Sequence, residues 1–458
     1  MAFPFARLFR RTEAAPLATR RFDGAAGGRR AFGLGTMGRL GTETALAGPT
    51  LRARASYLAA NNPFIANAVG NIVGAMVGAG IVPTPQHPDP ETRKVLSAVW
   101  GEWIDGADAE GRTDGYGLQA AGGQDLVVKG EAFFRVIDTD GLRLHLLPPE
   151  LVDESLTRDL GGGRFIVSGV EFNADGTRAA YHVLPARPTD VFATTGTPVR
   201  IPAEEMIHVF KPLGPGQVRG VSWLAPVILS AAELDKLADA LTMGAQVAAM
   251  FAGFLTNTNE VGGEDPFGGD TQPSLEPGTL QRLSGGWDIK FATPAQVSQV
   301  APILRHNLRQ LAAGLGLPSH LVDGDLSDAN YSSLRAGLLP FRQRMEQVQY
   351  HVLVPQMLNP IWRRVVGHAV TSGQIEAPDY ESNPRAYRAE WLPPAFMQVD
   401  PAKQVQADVE ELAAGLTSRR KLVAARGWAL DDLDAELAAE GWQKPAKTEG
   451  GKPDASEP

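Results

Sequence analysis

Apolar residues recur every three or four positions in three stretches of the chain, and each stretch predicts an amphipathic helix. The first begins at Ser222 and carries Leu224, Val227, Ile228, Ala231, Leu234, Leu237, Ala238, Leu241 and Ala245 on one face, with Glu233, Asp235, Lys236 and Asp239 opposite. A helix of roughly 30 residues spans about 45 Å. The second opens at Thr293, Pro294, Ala295 and Gln296, where Thr and Gln stand at capping-box positions, and runs through Val297, Val300, Ile303, Leu304, Leu308 and Leu311 to Gly314 or Gly316. The third carries Leu334, Leu338, Phe341, Met345, Val348 and Val352, and its stripe continues through Leu358, Ile361, Trp362 and Val365. Pro355 and Pro360 fall inside it, so this helix is expected to bend rather than end. Between the first two helices lies TNTNEVGGEDPFGGDTQPSLEPG, an acidic Gly/Pro-rich insertion that reads as exposed. Ahead of the third, Asp323 to Ser333 is a polar loop. On these residues alone, an ordinary core helix with a surface loop is the preferred reading.

Elsewhere the pattern changes. Asn62 stands as a cap with Pro63 in the first turn of an apolar run that ends at Val82. Gly70, Gly74 and Gly78 recur every fourth residue within it, the spacing that lets two helices approach closely. A membrane span is the sharper reading, but Asn67 and Asn71 lie inside the run, so close packing in a soluble assembly is preferred. Glu91 to Asp108 predicts a partly exposed amphipathic helix. From Gln124 to Pro212 the period becomes two. Hairpins are predicted around Asp138 to Gly141 and around Asn173 to Gly176, the latter flanked by Phe165 to Phe172 and Thr177 to Leu184. His145, His182 and His208 lie in or near these strands without a metal-ligand spacing and read as strand-borne surface or core histidines. Helices together with antiparallel hairpins make the fold class α+β.

The totals narrow the chemistry. A chain of 458 residues, 43% hydrophobic, can bury a large core and form more than one lobe. It has 0 Cys, which removes disulfides, thiol nucleophiles and zinc ribbons. A formal net charge of -9 argues against a surface that grips nucleic acid broadly. The opening MAFPFARLFRR has no long apolar region before a cleavage site, so no signal peptide is expected. Arg7, Arg10, Arg11, Arg20, Arg21, Arg29 and Arg30 make the first 49 residues a basic arm. Gly33, Gly35 and Gly38 match the letters of a dinucleotide loop but lack its strand and helix context. No GxSxG, GxxxxGK[ST] or HExxH is present, and Asp323 to Leu334 lacks the sixth-position Gly and twelfth-position acid of a calcium loop. Catalytic residues, cofactors and metals are therefore assigned as none. Helical runs after Asp400 and near Ser418 to Ala425 are followed by the acidic run Asp431 to Glu440, which would repel a phosphate-lined groove. The last residues, 443–458, read as a disordered tail.

Three stretches together resemble the lambda family of tailed-phage portal proteins: RARASYLAANNPFIANAVGNIVGAMVGAGI, IPAEEMIHVFKPLGPGQVRGVSWLAPVI and LSDANYSSLRAGLLPFRQRMEQVQYHVL. The family-like positions are Gln217, Arg219, Gly220, Trp223, Ser332 and Arg335. The resemblance implies a portal-type subunit with a helical stem and crown and a β-containing wing, assembling with itself into a ring, typically a homo-dodecamer, at the capsid vertex of the virion after assembly in the host cytoplasm. It divides the chain into an arm (1–49), a wing (50–221), stem helices (222–253 and 293–316) around a clip (254–292), and a tunnel-loop region (317–333). A kinked helix and wing segment (334–379), a crown-like segment (380–442) and the tail follow. Asp325, Ser327, Asp328, Asn330 and Tyr331 would form the tunnel loop, and Glu233, Lys236 and Asp239 the channel-facing stem. Double-stranded DNA in the channel, the large terminase, the head-tail connector or adaptor, the major capsid protein and scaffold would be its partners. No enzymatic activity is implied. Twelve copies at -9 each, about -108 in all, suit a conduit through which DNA slides. A peripheral membrane protein and a hydrolase with an unmarked site stay open as alternatives.

Overall fold

A computed structural model describes residues 37–139, 141–185, 196–250, 254–257, 287–290, 300–327, 330–394, 401–424, 426, 428 and 430–442. The dinucleotide-like glycines except Gly38, most of the basic arm and of the insertion, the capping box at Thr293 and the tail lie outside them.

The chain opens with α1 (Leu40–Asn61) and α2 (Pro63–Val77), then β1 (Val82–Pro85), α3 (Pro90–Asp105) and α4 (Gly115–Val128). Strands β2 (Glu131–Asp138), β3 (Leu142–Leu147), β4 (Arg158–Gly161), β5 (Arg164–Val167), β6 (Val170–Phe172), β7 (Arg178–Val183), β8 (Val199–Pro202) and β9 (Met206–Phe210) follow. Next come α5 (Ile228–Met250), β10 (Phe254–Asn257), β11 (Trp287–Lys290), α6 (Val300–Leu315), α7 (His320–Asp323), α8 (Tyr331–Val348) and α9 (Asn359–Thr371). The described part ends with β12 (Ala389–Leu392), α10 (Pro401–Ala413), α11 (Arg419–Ala424) and α12 (Leu430–Ala439).

The α+β expectation holds. Antiparallel β3-β2-β9 and the meander β4 to β8 form two sheets. They pack through Phe133, Val170, Tyr181, Ile201 and Met206. The first hairpin turns where expected, Asp138 pairing Leu142. The strand expected over Phe165 to Phe172 is broken, because Ser168 and Gly169 both adopt positive φ and make a two-residue turn between β5 and β6. A larger core unites α2, α3, α4, the root of α5 and the long helical run after Phe341. There Trp100 meets Trp103, Trp362 and Trp391.

Two expectations need correction. Residues 40–49, assigned to the arm, belong to α1: its inward positions are Thr44, Gly48, Arg52, Ala55 and Leu58, too small and polar to register as an apolar stripe. Gly70 and Gly74 meet nothing within 4 Å of a built Cβ, so they bring no helix close within the subunit. The close approach to α2 comes from α4, where a Cβ on Gly123 would lie 2.9 Å from Met76 Cε. Around Pro355, the helix is accommodated by winding Gln349–Leu358 in the wider i→i+5 turns of a π-helix before α9 resumes. Among the described residues no helix is long and apolar enough to cross a membrane.

Candidate functional site

The helical hairpin expected to form the stem comes first. α5 and α6 pack side by side, and their sequence order with β10 and β11 makes a hairpin of helix, strand, strand and helix. The strands pair antiparallel from Phe254 opposite Lys290 to Asn257 opposite Trp287. At its root the hairpin is tight: Leu224, Val227, Ile228, Ala231, Leu234, Leu311 and Ala312 are buried. A Cβ on Gly314 would come within 2.4 Å of Val227 Cγ1. Beyond Leu234 the helix leaves the core. Leu237 and Leu241 are only half-buried, and Met243 on α5 and Ile303 on α6 are 60% and 53% exposed. Glu233, Lys236 and Asp239 face solvent on the same helix. The predicted start at Ser222 is six residues early, since Ser222 Oγ accepts from Leu224 N and Trp223 N donates to Val127 O, tying this segment into turns against α4.

The loop follows α6. α7 is a single turn closed by Gly324 at φ 72, a left-handed cap. Asp323 Oδ1 accepts from Asp325 N, and Asp325 Oδ1 accepts from Ser327 N at 2.9 Å and Ser327 Oγ at 2.6 Å. The Ser327 hydrogen bonds hold the Asp325 carboxyl below its ordinary range, so it stays ionised on a fully exposed loop. Leu326 between them is 55% exposed. Asn330 Oδ1 accepts from Ser333 N while Asn330 N donates to Ser333 Oγ, a reciprocal cap that starts α8. The Asn330 side-chain oxygen is thus occupied by the helix start. Asp328 lies outside the described residues, as do the side chains of Tyr331 and Ser332, while Arg335 faces solvent.

The motif around Arg219 sits elsewhere, at a buried junction where α1, β2, β9, the turn between β5 and β6 and the segment ahead of α5 meet. Glu131 at the start of β2 is fully buried. Its Oε1 accepts from Arg219 Nη2 at 2.7 Å and Arg52 Nη2 at 3.1 Å, and its Oε2 from Gly220 N at 2.8 Å and His208 Nε2 at 3.0 Å. Arg219 also donates to the carbonyls of Pro149, Val152 and Ser168, so it fastens the positive-φ turn between β5 and β6. Arg52 donates to Glu154, which lies 3.2 Å from Arg219 Nη2. Two guanidinium and two carboxylate charges therefore balance with His208 neutral. Gly130 and Gly220 let the backbones meet: a Cβ on Gly220 would be 2.1 Å from Gly130 O. Gln217 Oε1 accepts from Leu213 N and its Nε2 donates to Arg219 O, closing the turn that delivers Arg219. Trp223 lies beneath Lys211 Nζ at 5.1 Å.

The electrostatics of this junction follow from burial. Burial alone would raise the Glu131 carboxyl, but the Arg219 charge and the His208 hydrogen bond outweigh it and hold it well below the carboxylate range. Burial pushes His208 down to about 4 against the pull of Glu131. Since the ionised carboxylate only accepts, the single imidazole proton sits on Nε2, and Nδ1 has no partner. Glu154 is raised by burial despite both arginines. Of the surface and core readings of His208, its burial fits the core one; its carboxylate partner 77 residues away was not visible in the pattern.

Among the described residues a sealed ionic junction stands beside a helical hairpin with exposed apolar side chains. The chain belongs to the lambda family of phage portal proteins, whose model matches residues 35–349. It is similar to the probable portal protein of Halomonas phage phiHAP-1, 24% identical over 343 residues that cover 70% of this chain and 65% of that one. It is also similar to the portal protein of Escherichia phage N15, 25% identical over 86% of this chain and 84% of that one. Portal protein B of Escherichia phage lambda is 23% identical over the same shares. Among solved structures, a chain in the virion of a native gene transfer agent particle matches with TM-score 0.45 at 16% identity, covering 87% of this chain and 94% of that one. An HK97-family phage portal protein from Corynebacterium diphtheriae matches with TM-score 0.31 at 14% identity, over 78% and 98%. The family is structural.

Proposed function

We propose that copies of this chain form a ring, typically of twelve, whose channel passes double-stranded DNA into and out of a capsid at one vertex. The observation that carries this reading is the stem: a hairpin that leaves the core at Leu234 and Leu311 and exposes Met243 and Ile303 has apolar surface that a neighbouring copy would bury. The loop from Gly324 to Asn330 is mounted between the stem and α8, so a ring of stems would carry a ring of such loops. Its ionised Asp325 would repel phosphate and keep DNA sliding rather than bound.

In this reading the β10 and β11 end of the hairpin meets the large terminase during packaging and the head-tail connector afterwards. The sheets form the outer wing against the major capsid protein and scaffold, and α10 to α12 the crown. Mass measurement of the purified chain in solution, with negative-stain images, tests the ring. A large ring with a central hole is expected. A detergent-dependent monomer would instead favour a membrane-surface protein, and a small oligomer with turnover an enzyme.

A further inference from the structure

α2 is held at three places by side-chain amides, each reaching a different part of the channel machinery. At its N-terminus, Asn62 caps the helix through Oδ1 to Ile65 N while its Nδ2 donates to Asp235 Oδ1 of the stem helix α5 at 2.7 Å. One turn further, Asn67 Nδ2 donates to Val322 O at 3.0 Å and Leu321 O at 3.3 Å, and Asn71 Nδ2 to Leu321 O at 2.8 Å and Asn67 Oδ1 at 3.2 Å. At its C-terminus, Gln349 of the π-helical segment donates to Met76 O at 2.9 Å and Ala75 O at 3.2 Å.

The middle contact bears directly on the loop. α7 has four residues, too few to stand as an independent helix, and a helix end leaves its last carbonyls without partners. Gly324 N takes the His320 carbonyl. Those of Leu321 and Val322 are taken up by Asn67 and Asn71, which lie four residues apart and so share one face of α2. Val322 is buried. Past Gly324, by contrast, Asp325 N donates to Asp323 Oδ1 and Ser327 donates to Asp325 Oδ1, while the charge of Arg305 on α6 acts on Asp325. The direction in which residues 324–327 leave the body is thus set at α7, and α7 is pinned from α2.

We infer that Asn67 and Asn71 are positioning residues for the channel loop, and that α2 is the strut through which stem helix α5, loop root and π-helical segment keep a common geometry. This rests on the reading of Gly324 to Asn330 as the channel loop, and the test separates the two. The chain has 0 Cys, so Leu326→Cys gives a unique spin-label site on the loop and Val95→Cys one on α3. Across-ring distances are measured by pulsed electron paramagnetic resonance in rings containing few labelled copies, with and without Asn67→Ala plus Asn71→Ala. The inference expects the distance distribution at residue 326 to broaden at least twofold while that at residue 95 and the melting temperature of the ring hold. An unchanged distribution at residue 326 would overturn it. Equal broadening at both sites would also overturn it, since that is general loosening. Across-ring distances at residue 326 longer than those at residue 95 would sink the channel-loop assignment, whatever the asparagines do. If the double variant does not assemble, Asn71→Ala alone is measured in the same way and judged by the same outcomes.

Discussion

The junction around Glu131 and the hairpin that projects beyond it follow opposite rules. At the junction, Glu131 and Arg219 are fully satisfied by groups of the same subunit, and the charges balance there. On the hairpin, apolar Met243 and Ile303 and charged Glu233, Lys236 and Asp239 all face outward. The first region is finished when one chain folds. In the proposed ring the second is finished only when copies meet, the division of labour such a subunit would need.

Substitutions break this contrast in different ways. Glu131→Ala should have the largest effect, because it leaves buried Arg219 and Arg52 with Glu154 as their one remaining described carboxylate, a loss of about 3–5 kcal/mol. Denaturant unfolding followed by circular dichroism reads it. Met243→Glu should leave subunit folding within about 0.5 kcal/mol of the parent yet abolish the ring, as read by mass in solution. If it unfolds the subunit instead, the contrast is wrong.

Acid should loosen the junction before the helical hairpin. His208 is held near 4 in the fold against an ordinary 6.5, so the folded state binds fewer protons than the unfolded one. Its share of stability is therefore complete above about pH 6.5 and lost as pH falls towards about 4, some ~3 kcal/mol in all. Glu131, held low, adds a further loss below about pH 4.5. His208→Gln should flatten the melting temperature between pH 6.5 and 4; an unchanged slope would place the acid sensitivity elsewhere.

Smaller effects are expected at the loop. Asp325→Lys with Asp328→Lys should slow packaging several-fold by turning repulsion of phosphate into attraction, measured as DNA protected per particle over time. Unchanged packaging and genome retention would remove the loop from the channel. Asn330→Ala should cost about 1 kcal/mol through the lost cap, seen as faster amide exchange in the first turn of α8.

How much was legible depended on whether a signal was local. The stem stripes, the Asn62 cap and the hairpin turning at Asp138 are carried by residues a few positions apart, and the sequence pattern contains them. α1 was missed in part because it packs Thr44, Gly48 and Arg52 inward, and Arg52 is buried only because Glu131 and Glu154 await it far along the chain. Arg219 and Gly220 stood out as a motif, but their partners Glu131 and Gly130 lie 88 and more residues away, so no spacing rule reaches them. Asn67 and Asn71 registered only as polar interruptions of an apolar run. Their carbonyl partners are about 250 residues distant.

In the proposed ring the loop between α7 and α8 faces DNA. A photocrosslinking residue placed at Leu326, and separately at Phe165 on β5, tests this in DNA-filled particles. DNA crosslinks are expected from position 326 and none from position 165; crosslinks from 165 with none from 326 would contradict this placement.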